Sequence, residues 1–240
     1  MPNLTLLQII AALCLVSAFT FFPSSGSKQV LAEDVSQARE GLPGRRVGGG
    51  TRSDMFVSET PLVALVPENN QGLTASGTPT FFFYVPKTQK PQLVEFVLVD
   101  KNGNQIYETQ FTTDGNSGVV GITIPGNEPT KTLEVGKTYK WHFAIIPDQE
   151  NRRADIYVEG FIKRVAVNQD LKNRLRQGAS LDLADSYQTN NLWYDAMATV
   201  AELRRSRPTD TAVAAKWQQL LNSVRLQKLA QEPLVQQGNQ

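Results

Sequence analysis

Between Met55 and about Asn168 apolar and polar side chains alternate with a period of two, in short runs closed by turn residues. Pro61–Val66 opens the series and ends at Pro67 and the turn residues Asn69-Asn70-Gln71-Gly72. Thr80–Val85 follows and is stopped by Pro86, and Gln92–Val99 and Gln105–Thr112 flank Lys101-Asn102-Gly103-Asn104. Asn-Gly between alternating runs predicts a tight hairpin, because both residues tolerate positive φ. Gly118–Ile124, Lys137–Ile146 and Asp155–Val165 complete the set, the last two joined by the polar loop from Pro147 to Arg153. Short strands with no helix between them predict an antiparallel β-sandwich of immunoglobulin or fibronectin type III size over residues 56–167.

Past Val167 the period becomes helical. Asn168 is placed to cap a short helix carrying Leu171 and Leu175, which stops at Gly178, and Ser180 to cap the next, with Leu183, Ala184 and Tyr187 on one face. Leu192–Arg205 sets Trp193, Ala196, Met197, Val200 and Leu203 at spacings of three and four and halts before Pro208. Asp210 is placed to cap a last helix bearing Val213, Trp217, Leu220, Leu221 and Val224. The fold class is therefore α+β: a sandwich, a helical module over 168–232, and a polar tail over 233–240. Ala184, Tyr187, Trp193, Ala196, Val200, Leu203 and Pro208 are similar in spacing to one tetratricopeptide repeat. A single copy of such a unit leaves one side open, so the module is expected to pack on the sandwich.

Ahead of the sandwich, Leu4–Phe22 is largely apolar and the first side-chain charge is Lys28. Val30-Leu31-Ala32, followed by Glu33-Asp34, is a small-residue cleavage pattern, so residues 1–32 read as a cleaved export signal. An uncleaved membrane anchor is the alternative; a lipoprotein is excluded because Leu13 precedes Cys14. Residues 33–55 form a linker rich in glycine and arginine, with Arg45, Arg46 and Arg52 in the strip from Gly41 to Arg52. A phosphate loop would need a preceding strand and a closing Gly-Lys-Ser/Thr, which the strip lacks. It reads as a solvated tether or as a cationic docking strip.

Composition narrows the chemistry. Lys and Arg total 24 against 23 Asp and Glu, a balance unlike that of a nucleic-acid binder. The one cysteine, Cys14, lies in the leader, so the mature chain is left with no disulfide, thiolate nucleophile or cysteine metal site. His142, the one histidine, shares its strand face with Lys140 and is expected on the wetter side as a solvated residue. No Gly-x-Ser-x-Gly motif accompanies it. Asp148, Glu150 and Asp155 are oxygen ligands for calcium in principle, but Arg152-Arg153 repels a cation. No cofactor or metal is expected. A carboxylate pair of glycosidase type would leave no mark in sequence. The aromatics Phe81-Phe82-Phe83-Tyr84, Tyr157 and Phe161 fall on both strand faces and suit either interdomain packing or a sugar platform.

The strip at 41–52, the runs Leu62–Pro67 and Phe81–Pro86, and Trp193-Tyr194-Asp195-Ala196 through Pro208 resemble, in combination, an exported cyanobacterial family of unknown role. That family is catalogued as domain of unknown function number 928. The resemblance covers residues 41 to about 235. It implies a cyanobacterial source and a periplasmic or extracellular location, and it supplies no catalytic or binding residues. The leading expectation is a non-enzymatic module that binds another envelope protein, with docking at Arg45, Arg46, Arg52, Trp193 and Tyr194. A polysaccharide-binding module and an unrecognised hydrolase are the alternatives.

Overall fold

The computed structural model describes residues 44–49, 55–127, 131–175 and 178–235. The expected signal at 1–32, Arg52 and the rest of the linker lie outside the described residues. Among the described residues nine strands form two sheets. β1 (Val63–Ala64), β3 (Thr80–Val85), β6 (Gly118–Thr123) and β9 (Leu234–Val235) make one, in the order β1-β3-β6-β9. β2 (Gln71–Thr74), β4 (Leu93–Val99), β5 (Gln105–Thr112), β7 (Thr138–Ile146) and β8 (Ile156–Arg164) make the other, in the order β2-β8-β7-β4-β5.

Alternation decides which side chains fill the space between the sheets. Phe81 and Phe83 of β3 meet Phe96 of β4 and Trp141 and Phe143 of β7, and the Phe83 and Phe143 rings stack with centroids 4.2 Å apart. Phe82, on the opposite face of β3, packs edge-on to Trp217 at 6.4 Å. The helices therefore cover the outer face of the four-stranded sheet as a third layer. They are α1 (Gln169–Leu175), α2 (Leu181–Thr189), α3 (Trp193–Ser206) and α4 (Thr211–Ser223). Sheets and helices share one continuous core.

The caps fall where the sequence puts them. Asn168 Oδ1 accepts from Leu171 N at 2.9 Å, Ser180 Oγ from Leu183 N at 3.1 Å, and Asp210 Oδ1 from Ala212 N at 2.9 Å. Each such cap is worth about 1 kcal/mol. Ala184 of α2 and Ala196 of α3 are fully buried, and α2 packs against α3. Lys216 of α4, itself buried, donates to Asp185 and Gln188 of α2 and so ties α4 to that pair.

Three expectations change. The sheets are not antiparallel throughout: β2 runs parallel to β8, and β9 parallel to β6. Gln71 and Gly72, expected in a turn, begin β2, because the reversal is complete by Asn70, whose N donates to Pro67 O at 2.9 Å and whose φ is 58. The tail from 233 is not merely polar, since Leu234 and Val235 add to β6 and Pro233 O accepts from Val119 N at 2.7 Å. In the β4–β5 hairpin Gly103 alone takes positive φ, +82. There Gly103 N donates to Asp100 O at 3.1 Å, and the Asp100 carboxylate accepts from Asn102 N and Asn104 N. The hairpin thus stands where the Asn-Gly pair puts it, with its loop over 100–104 and a register shift at Leu98/Val99.

Candidate functional site

Among the expected docking residues Trp193 and Tyr194 are buried, Arg46 is half-buried and Arg45 is exposed. Residues 44–49 are a strap laid on the sheets. Arg45 O accepts from Glu159 N at 2.8 Å, Arg46 O from Ala64 N at 2.9 Å, and Gly48 N donates to Leu62 O at 2.8 Å. A Cβ on Gly44 would sit 2.5 Å from Glu159 O and 2.9 Å from the Gly160 Cα, so the glycine is there for close approach and not for looseness. Arg45 places its guanidinium 5.0 Å from the Tyr157 ring centroid. Arg46 donates at 2.5 Å to Val224 O, at the C-terminal end of α4, where a cation is favoured. Burial lowers the Arg46 pKa, partly offset by Glu68. Arg46 is thus committed to a backbone carbonyl, while Arg45 remains at the surface over Tyr157.

Trp193 and Tyr194 are likewise joints. Trp193 Nε1 donates to Leu65 O at 2.8 Å, beyond β1. The Tyr194 hydroxyl accepts from Trp141 Nε1 at 2.8 Å and donates to Phe161 O at 3.3 Å, and burial raises its pKa. Next to it Asp195, 8% exposed, accepts from Ala75 N at 3.0 Å and holds the loop between β2 and β3. Burial pushes its carboxyl up to about 6, against the lowering effect of hydrogen bonds from Ala75, Thr74 and Ser76.

His142 is a further correction. The parity was right, since its side chain stands on the outer face of the five-stranded sheet opposite Glu159. It is only partly exposed there, with its ring stacked on Tyr157 at 4.9 Å. Burial holds the imidazole down at about 4, although Glu159 and Glu95 pull the other way. The surrounding charges are already matched. Glu159 meets Lys140 at 3.1 Å, while Arg152 Nη2 donates to Glu95 at 2.7 Å and Arg152 Nε to Asp155 at 2.7 Å. Gln110 Nε2 also donates to Glu95, at 2.5 Å. Glu95 and Glu159 are thus buried acids with cationic partners, an arrangement that holds a sheet face together. Among the described residues no group of three His, Cys, Asp or Glu is placed to hold a metal ion, and no helix is long and apolar enough to cross a membrane.

What the sequence did not reveal is a cleft of ≈590 Å³ beside β2. Gln71, Gly72 and Leu73 line one wall, with Phe161, Lys163 and Thr138 from the neighbouring strands. Gln188, Asn191, Trp193 and Ser223 line the other. β2 is the last strand of its sheet. It can approach α3 because the Tyr194 ring occupies the space a Gly72 Cβ would take, 2.6 Å from Tyr194 Cε2. Asn69 also borders the cleft, with its Oδ1 accepting from Gln71 N at 3.1 Å. Of the expected docking residues only Trp193 reaches this cleft, at its floor and 9% exposed. The amides around it come from two segments far apart in the chain, 69–71 and 188–191, so no local spacing announces them.

No curated protein matches this chain. A family model does, over residues 47–234, which takes in both sheets and all four helices. The chain belongs to the family described as Domain of Unknown Function (DUF928).

Proposed function

We propose that this is an exported, non-enzymatic binding module of a cyanobacterial envelope, and that it holds an extended segment of another envelope protein in the cleft beside β2. One observation carries the reading: the cleft joins the end strand of a sheet to the neutral amides Asn69, Gln71, Gln188 and Asn191. Amides both donate and accept, which suits the alternating N–H and C=O groups of an extended peptide. Trp193, Phe161 and Val224 supply apolar floor, and Lys163 is the single charged side chain in the lining. The helices fit this role as one tetratricopeptide-like pair, α2 and α3, packed on an immunoglobulin-like sandwich. The commitment of Glu95, Glu159 and Asp195 to structural partners supports binding over hydrolysis.

A polysaccharide is the second reading, favoured by Phe161 beside Gln71 and Asn69, an aromatic face next to hydrogen-bonding amides. A photo-crosslinking residue at Gln71 or Asn191, in protein expressed in its native envelope, separates the two. A discrete protein adduct is expected from both positions, absent from Asn102 at the hairpin tip and suppressed by Ser223→Trp, which fills the cleft. Equal labelling from Asn102 removes the reading, and adducts carrying only glycan hand it to the alternative.

A further inference from the structure

Among the described residues the two sheets have four outer strands. β1 is bridged by Val47, β9 is a two-residue addition, and β2 is lined by the helices. β5 is different. It is eight residues long, ends its sheet, and among the described residues no strand pairs with its far side. Edge strands are ordinarily guarded by lysine, proline or bulges. β5 contains neither lysine nor proline, and its bulge lies at the Leu98/Val99 end, leaving Tyr107–Thr112 regular.

The hydrogen-bond phase of this edge follows from one contact. Thr113 N donates to Gln92 O at 2.8 Å, and alternation then assigns the backbone groups of Phe111, Thr109 and Tyr107 to β4. The N–H and C=O groups of Glu108, Gln110 and Thr112 face outward. We propose that this edge pairs antiparallel with the β5 edge of a second copy, about a two-fold axis at Thr109, to make one continuous ten-stranded sheet.

The register is set by charge and phase together. With Thr109 opposite Thr109, the outward-facing backbones of Glu108 and Gln110 meet as hydrogen-bonded pairs. Glu108 then stands beside a Gln110 side chain, repeating the Glu95–Gln110 contact that already exists between β4 and β5 at 2.5 Å. On the other face Tyr107 comes opposite Phe111, an aromatic pair. Centring on Glu108 instead would set two carboxylates face to face, which is unfavourable. Glu108 is the single charge in the strand, and the exchange satisfies it twice, once in each copy. The match is of the strand to itself, as a two-fold interface requires.

Light scattering on the intact protein, across a wide concentration range, should pass from one copy to two. Glu108→Pro removes an outward N–H and no bond within the sheet, so it should give a folded single copy at every concentration. Thr109→Cys, in a chain with Cys14→Ala, puts two thiols across the axis in a non-hydrogen-bonded pair, within disulfide reach. Mild oxidation should link two copies through that position and not through Gln105→Cys. A single-copy mass throughout, with no position-specific link at Thr109→Cys, overturns the proposal. So does a folded Glu108→Pro variant that remains paired; if that variant does not fold, the cysteine comparison decides alone.

Discussion

The Trp141 indole and the Tyr194 hydroxyl meet at 2.8 Å, one from the middle of β7 and the other from the first turn of α3. This contact lies in the apolar core, where Tyr194 also packs edge-on to Phe81 at 5.2 Å. It fixes the helical layer to the five-stranded sheet past the end of the four-stranded one. Tyr194→Phe keeps the ring and strands the indole N–H, so it should cost about 1–3 kcal/mol. Urea unfolding measures it. Combined with Trp141→Phe the loss should be less than additive, because the second change removes the stranded donor; strict additivity would show that the two groups do not interact.

Asp195 makes stability depend on pH in an unusual direction for a carboxylate. Its pKa rises on folding from 3.8 to about 6, so the folded chain binds the extra proton between those values. Its contribution is fully present below 3.8 and is lost as pH rises through about 6, by roughly 3 kcal/mol in all. Asp195→Asn should remove this slope. Melting temperatures from pH 3.5 to 7.5, read for both chains, test it.

His142 works the other way. Its pKa falls on folding from 6.5 to about 4, so its contribution is complete above 6.5 and is lost as pH falls toward 4. Over that window it offsets Asp195, and the natural chain should show a nearly level stability. His142→Gln should therefore become more stable on acidification. An unchanged profile in both single variants would mean that neither group is as buried as it stands here.

The strap makes a prediction that a loose linker would not. Gly44→Ala places a Cβ against Glu159 O at 2.5 Å, and Gly160→Ala places one against Asn70 O at 2.5 Å, both backbone atoms. Each should cost about 3 kcal/mol or more, since no side-chain motion relieves the overlap. Gly103→Ala, with open space around its Cβ and only its φ of +82 against it, should cost about 1 kcal/mol. Thermal unfolding ranks the three, and a neutral Gly44→Ala would return the strip to a tether.

The strands that alternate plainly, from Thr80–Val85 to Ile156–Arg164, and the caps Asn168, Ser180 and Asp210 could be read along the chain because their signals are local. β2 could not. Gln71-Gly72-Leu73-Thr74 has no apolar alternation, and its pairing with β8 joins residues some ninety positions apart, Gln71 with Phe161. Nor could the strap, because a glycine needed for close approach and a glycine left free look alike in sequence. For His142 the face was legible and its covering was not, since Tyr157 and Arg45 arrive from other segments. Trp193 marked an apolar helix face expected to pack on the sandwich, but its bond to Leu65 O and the bond of Tyr194 to Phe161 O were not legible. The cleft was invisible for the same reason: Asn69, Gln188 and Asn191 become neighbours only after both sheets and the helices are in place.

The placement of β9 carries a consequence for how the chain is made. Val119 and Val120 in β6 take Leu234 and Val235 as their partners, so one edge of the four-stranded sheet waits for a segment more than a hundred residues downstream. During synthesis every other strand is laid down before it, and β6 must stand with an open ladder of apolar residues until those last two arrive. A factor that shields β6 in that interval would hasten correct folding, while a stalled or shortened product would be the species most prone to stick to its own kind.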